Sequence, residues 1–487
     1  MKRLLALTTA AFTALPLAPA AALDAAPGTA AGGTHGTVLD RAPDAPGAPG
    51  AALDGAPGAP GAGDPYFPDQ GNGGYDAGHY DLALDYNPSS NQLDGVATIA
   101  ARATQALSRF DLDLVRTLTV RSVTVDGAPA AFTQDGSELV VTPAAALPSG
   151  QGFTVVVRYD GKPTHVLDPD GSRDGWIRTN DGVFNAGEPQ GAMTWYPGNH
   201  HMTDKATYRF SVTVPDDRAA VANGDLVSST SRDGRTTYVW DARQPMASYL
   251  ATVSIGKFQL TDTTIGGYRV ITAVDPKLAG KAGGFAARHA PVLSYFSSLF
   301  GPYPFTSTGG IVDHEPNVGY ALETQTRPIY PVVPSESLLA HELAHQWFGD
   351  SVTPTRWQDI WLNEGFANYA EWLWLDKTGS KTLQSSFDAA YAKPADDPFW
   401  QTPPADPGGP ADLFHDAVYD RGAMTLHALR RAVGDSAFFT ILRTWATEHQ
   451  YGNADTPAFV ALAERVSGRS LTALFDAWLH KPGKPTL

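Results

Sequence analysis

The sequence predicts a multidomain protein: an N-terminal all-β antiparallel domain, saddle or sandwich in shape, followed by a mainly α domain. Three observations carry this. At 487 residues the chain exceeds what one ordinary core organises, so two or three domains are expected. Between Tyr75 and Leu260, short alternations of apolar and polar residues recur between Asp-Gly, Pro-Ser-Gly and Asn-Pro turns; this is the pattern of strands with one buried face. From Thr261 onward the period lengthens to that of amphipathic helices punctuated by Gly and Pro.

Residues 1–22 read as a secretory signal. Lys2 and Arg3 make a basic start, Leu4 to Leu17 an apolar run, and Ala18-Pro19-Ala20 or Ala20-Ala21-Ala22 a small-residue cleavage site. The mature protein is therefore expected to be secreted, and no other stretch approaches the roughly 18 apolar residues of a membrane span. Residues 23–74 are mostly Ala, Gly, Pro and Asp, with APGAPGAALDGAPGAPGAGDP nearly repeating itself. Such a segment has little apolar surface to offset the entropy of ordering, so a disordered linker is expected.

The β domain is expected over 75–260, with strands at 79–86, 96–101, 118–125, 139–142, 153–159, 206–214, 236–240 and 250–260. Within it, Asp168 to Gly175 resembles a calcium loop but lacks the closing glutamate and carries Arg173 among the would-be ligands, so a plain turn is expected. His200-His201 reads as a surface loop, because adjacent residues on an extended chain point to opposite sides. The catalytic domain is expected over 261–487, with helices at 284–300, 334–348, 361–377, 417–433, 436–448, 457–466 and 471–479 and a little β near 268–274 and 311–312.

Composition narrows the chemistry. The formal charge is -16, and signal cleavage removes two further cations, so nucleic acid and anionic lipid are repelled. The chain has no cysteine, which excludes disulfides and thiolate metal sites. Any metal must be held by nitrogen and oxygen.

One stretch supplies such donors. His341 to Asp350, HELAHQWFGD, contains H-E-x-x-H. Two histidines four apart project from one helix face and can reach one Zn²⁺, with Glu342 placed to act as general base on a zinc-bound water. Zinc in a hydrolase takes three protein ligands and leaves a position for water. The candidate third ligand is Glu364 in WLNEGFANYAEW, on the next predicted helix, which faces the histidines if the intervening turn reverses the chain. Asp359, Asn363 and Asn368 are candidates for outer contacts to the ligands.

HELAHQWFGDSVTPTRWQDIWLNEGFANYAEW resembles the signature of the M1 zinc aminopeptidases, the gluzincin group with H-E-x-x-H, eighteen residues, then E. The resemblance extends over about 75–487. It implies a thermolysin-like catalytic domain, one zinc per chain, and peptides with a free N-terminus as substrates. Tyr320-Ala321-Leu322-Glu323-Thr324 lies where the family has G-A-M-E-N, so Glu323 would bind the substrate amine. Val418 to Met424 resembles the family's Tyr-x-Lys/Arg-Gly-Ala stretch, which makes Tyr419 the oxyanion donor. Glu188, in Glu188-Pro189 ahead of Tyr196-Pro197, would be a second amine-binding group, with Asn185 and Gln190 as alternatives. The family usually carries a further C-terminal helical domain, which the resemblance does not find here, and a more open cleft is expected. The alternative reading is a related zinc hydrolase of the same fold, an endopeptidase or epoxide hydrolase, or an inactive peptide-binding homologue.

Overall fold

The structure is a computed structural model that describes residues 54–487. The expected signal at 1–22, and the linker as far as residue 53, lie outside the described residues.

The β domain is built on an eight-stranded sheet with spatial order Asp225–Arg232, Arg235–Met246, Ala206–Pro215, Tyr75–Asn87, Gln92–Ala103, Gly152–Gly161, Leu118–Val125 and Ala128–Pro129. All neighbours are antiparallel except Ala206–Pro215 beside Tyr75–Asn87, which are parallel. Residues 75–87 show how side-chain alternation sets the core. Tyr75 and Ala77 are buried, the register shifts between Ala77 and His79, and from there Tyr80, Leu82, Leu84 and Tyr86 are buried. One extra residue at Gly78 switches the inward parity, as a bulge must. Tyr80, Tyr208 and Phe210 stack on the inner face. A five-stranded sheet that includes Arg173–Arg178, Val183–Ala186 and Val253–Gly256 carries the loop containing Glu188. Asp168 to Ser172 forms the turn between strands His165–Leu167 and Arg173–Arg178.

Two expectations are corrected here. Residues 54–74 were expected to continue the disordered linker, but Ala56–Pro57 pairs with Leu107–Asp113 and Asp64, Phe67, Gln70 and Asn72 are buried. The ordering comes from polar side chains that satisfy distant backbone and indole groups, a non-local source of stability that composition does not reveal. His200 and His201 are also buried rather than at the surface. His200 packs edge-on against Tyr196, 4.7 Å between rings, and His201 faces Asp64 at 3.6 Å.

The second half starts with a sheet ordered Gln259–Ile265, Tyr268–Val274, Ser307–Val312 and Ile329–Tyr330, whose first strand straddles the expected boundary at 260. Among the described residues, eight α-helices follow the first two strands: α1 (Phe285–Phe300), α2 (Glu336–Ala344), α3 (Trp361–Lys377), α4 (Leu383–Tyr391), α5 (Asp416–Val433), α6 (Asp435–Glu448), α7 (Thr456–Ser467) and the one-turn α8 (Thr472–Phe475). α2 starts at Ser335, whose hydroxyl accepts from Leu338 N at 3.1 Å, an N-cap. It is shorter than the expected 334–348. His345 keeps helical angles at its C-terminal end, and the chain then turns tightly, with Asp350 N donating to His345 O at 3.0 Å. Lys205, entering from the β domain, donates to the carbonyls of Asp350 and Ser351 and to Thr353 Oγ1 at 2.8, 3.1 and 2.9 Å.

α3 and α5 approach closely because both present glycine at the crossing. A methyl group on Gly365 would lie 2.9 Å from Gly422 Cα, and the reverse holds for Gly422. Residues Glu364 and Tyr419 flank that crossing. Arg421, fully buried, donates to the carbonyls of Trp478, Trp400 and Ala477 at 2.9, 2.8 and 3.0 Å, which ties the end of the chain to the same helix.

Candidate active site

One pocket brings together all seven expected site residues: Glu188, Glu323, His341, Glu342, His345, Glu364 and Tyr419. All are buried. α2 presents His341 and His345 on one face, ring centres 4.8 Å apart, and α3 places Glu364 opposite. Glu364 Oε2 is 3.3 Å from His341 Nε2 and 3.5 Å from His345 Nε2.

These separations test the fit of a metal. A tetrahedral ion with bonds of about 2.0–2.1 Å, zinc's range, needs ligand atoms about 3.3–3.4 Å apart. The two observed spacings match, and the donor atoms of His341, His345 and Glu364 all lie within 4.8 Å of one another. The outer ring nitrogens are also occupied. His345 Nδ1 donates to the Phe348 carbonyl at 3.1 Å, which leaves the Nε2 lone pair for a metal. His341 Nδ1 faces Glu371 Oε2 at 3.7 Å. Such partners fix ring orientation and raise ligand basicity.

The electrostatics point the same way. Burial opposes ionisation of Glu364, yet the two imidazoles hold its carboxyl down to about 2. Burial also opposes charge on His341, but Glu364 and Glu371 push it up to about 9. Burial, reinforced by Glu323 and Glu364, raises Glu342 to about 8. Among the described residues, no lysine or arginine lines the pocket. A site with this many carboxylates and no fixed cation is complementary to a divalent ion and a cationic substrate group.

A second group of carboxylates lies beside the histidines. Carboxylate oxygens of Glu188, Glu323 and Glu364 converge within 4.8 Å, the first from the β domain and the others from the catalytic half. The Glu323 loop is pinned from several directions. Gln346, next to the second ligand histidine, donates to Glu323 O at 3.1 Å and accepts from Thr326 N at 2.8 Å. The buried Arg327 guanidinium donates to the Ile271 and Thr308 carbonyls at 2.8 and 2.7 Å. Tyr320 donates to the Arg173 carbonyl at 2.6 Å, joining the loop to the β domain. The ring of Tyr419 lies 6.2 Å from that of His341.

Sequence reasoning missed Glu371, Gln346 and the Phe348 carbonyl. The signals were present: Gln346 directly follows the second histidine, and Glu371 lies two turns after Glu364 on the same helix face. Asp359, Asn363 and Asn368, the candidates for outer contacts, make side-chain bonds of their own. Asp359 accepts from Arg356 at 2.9 Å, Asn363 donates to the Tyr249 hydroxyl at 3.2 Å, and Asn368 donates to Asp420 at 3.0 Å. Of the alternatives to Glu188, Gln190 donates to Asp168 at 3.4 Å, and neither it nor Asn185 lines the pocket.

Comparison with known proteins agrees with this architecture. The Peptidase M1 N-terminal domain profile matches residues 77–250, and the Peptidase family M1 domain profile matches residues 324–478. Glutamyl aminopeptidase from Bos taurus is 28% identical over 331 residues, covering 62% of this chain and 34% of that protein. Probable aminopeptidase 1 from Sulfurisphaera tokodaii is 23% identical over 434 residues, covering 84% of this chain and 53% of that protein. The chain thus spans about a third to a half of the length of these relatives. The M1 zinc metallopeptidase from Deinococcus radiodurans superposes with a TM-score of 0.81 at 30% identity, covering 88% of this chain and 99% of that one. A mutant of that metallopeptidase bound to a Tyr-Ser-Ala substrate gives a TM-score of 0.80 at 30% identity, covering 88% of this chain and 99% of that one. The chain belongs to peptidase family M1.

Proposed function

We propose that this protein is a secreted zinc aminopeptidase that removes N-terminal residues from peptides. The observation that carries the reading is the convergence of Glu188 and Glu323 on Glu364: two carboxylates that hold no expected metal sit one residue's reach from the ligand set. A protonated α-amine placed between them fixes the first peptide bond as the one presented to the reacting groups, and an acylated amine leaves buried carboxylates without a counter-charge.

His341, His345 and Glu364 would hold the zinc, which when bound would supply Lewis-acid chemistry at this end of the pocket. Glu342, buried beside the ligand histidines, accepts the proton of the attacking water and returns it to the leaving amine. Tyr419 donates its hydroxyl to the oxyanion that develops on the carbonyl. Glu323 and Glu188 bind and orient the amine throughout.

The basic, apolar and small-residue start of the chain supports export. The likeness to aminopeptidases and to a peptide-bound zinc metallopeptidase supports the substrate class. A panel of amino-acid amides, free and N-acetylated, tests the reading. Cleavage of the free amides only, lost with a chelator and restored by zinc, is expected; equal cleavage of both forms would overturn it.

A further inference from the structure

The segment before the β domain reaches three loops that carry pocket residues or lead into the helices that do. Gln70 is buried, and its carboxamide spans two of them: Nε2 donates to the Pro189 carbonyl at 3.3 Å, and Oε1 accepts from Trp357 Nε1 at 3.2 Å. Pro189 directly follows Glu188, and Trp357 opens the turn that enters α3 just before Glu364. Asp64 adds a second tie, accepting from Trp357 N at 2.9 Å, and Phe67 packs edge-on against the Trp357 ring at 5.9 Å. Tyr66 reaches the third loop, donating to Asp406 at 2.5 Å and accepting from Gly408 N at 3.1 Å, in the run that leads to Phe414 and α5.

The need for such a tie follows from geometry. Carboxylate oxygens of Glu188, Glu323 and Glu364 lie within 4.8 Å of one another, yet Glu188 is carried by the β domain and the other two by the catalytic half. The Glu188 loop is held within its own domain by Gln190 N, which donates to Asp174 Oδ2 at 2.8 Å, and by Gly191 N, which donates to Gly187 O at 3.0 Å. Gln70 ties that loop to the entry of α3. We propose that Gln70 is a positioning residue for amine recognition: its carboxamide holds the Pro189 carbonyl, one residue beyond Glu188, against the entry to α3, so that Glu188 faces the substrate amine. The inference rests on the amine-binding role proposed for Glu188.

The test uses zinc-loaded protein carrying Glu342→Gln, so that ligands bind without turnover, and leucinamide and N-acetyl-leucinamide as probes. Adding Gln70→Met removes both hydrogen bonds at similar side-chain volume. The expected result is leucinamide binding weakened about tenfold, with zinc affinity unchanged within about twofold and little change in the already weak binding of the acetylated probe. Combined with Glu188→Gln, Gln70→Met should add almost nothing, because coupled residues are non-additive. Gln70→Glu, which keeps the acceptor for Trp357 and loses the donor to Pro189, must weaken leucinamide similarly and serves if Gln70→Met folds poorly. Leucinamide affinity unchanged in these variants, or a loss fully additive with that of Glu188→Gln, overturns the positioning role while leaving the aminopeptidase reading intact. A parent protein that holds zinc but binds no leucinamide overturns both.

Discussion

The metal-ligand set and the amine-binding pair occupy one pocket but are built differently. His341, His345 and Glu364 project from two packed helices of one domain, and Tyr419 is locked to them through the Gly365–Gly422 crossing. Glu323 and Glu188 sit on loops from different domains, and their positions depend on side chains elsewhere: Gln346 and Arg327 for one, Gln70 for the other. Groups proposed to handle protons and charge in the transition state are on rigid elements, whereas groups proposed to choose the substrate are on loops held by polar ties. Lesions in the two sets should therefore separate in kinetics, the first lowering kcat and the second raising KM.

The largest effect is expected at Glu342. Glu342→Gln should lower kcat by about 10²–10⁴ while metal analysis still finds one zinc per chain; full activity in that variant removes the proposed base. Next comes Tyr419→Phe, for which a fall in kcat of about 10²–10³ with little change in KM is predicted from steady-state kinetics. On the recognition side, Glu188→Gln should raise KM for amino-acid amides about ten- to a hundredfold, the value of a charge-assisted hydrogen bond, and leave kcat nearly unchanged. A parallel fall in kcat would mean that the loop belongs with the chemistry after all. The smallest predicted effect is on the scaffold. Gly422→Ala pushes α5 from α3 and should cost about 1–3 kcal/mol of stability, as overpacking does, read as a lower melting temperature with a modest loss of kcat.

The same division explains what the sequence made legible. The helix-borne groups were readable because their geometry is local: a spacing of four fixes His341 and His345 on one face, and Glu364 follows on the next helix. Strand 118–125 and helix 361–377 end where the alternation and the glycines placed them. Glu188 and Glu323 needed the family resemblance, since nothing in a loop's own residues says which distant loop it meets. The stretch 54–74 was misread for a related reason. Its Ala, Gly and Pro suggest disorder, but Asp64, Phe67, Gln70 and Asn72 are buried in groups far along the chain, and that order cannot be seen in composition. His200 and His201 were misplaced likewise, since the Tyr196 ring and the Asp64 carboxylate that enclose them lie in segments whose packing is non-local.

The central claim is that two carboxylates from two domains read the substrate amine beside the metal-ligand set. Its most direct test is a crystal structure of the Glu342→Gln protein with zinc and a bound dipeptide. The account predicts the peptide's amine within hydrogen-bond distance of both Glu188 and Glu323, about 2.7–2.9 Å, with the first peptide carbonyl facing Tyr419. An amine directed away from both carboxylates, with an internal peptide bond at the ligand set, would contradict it.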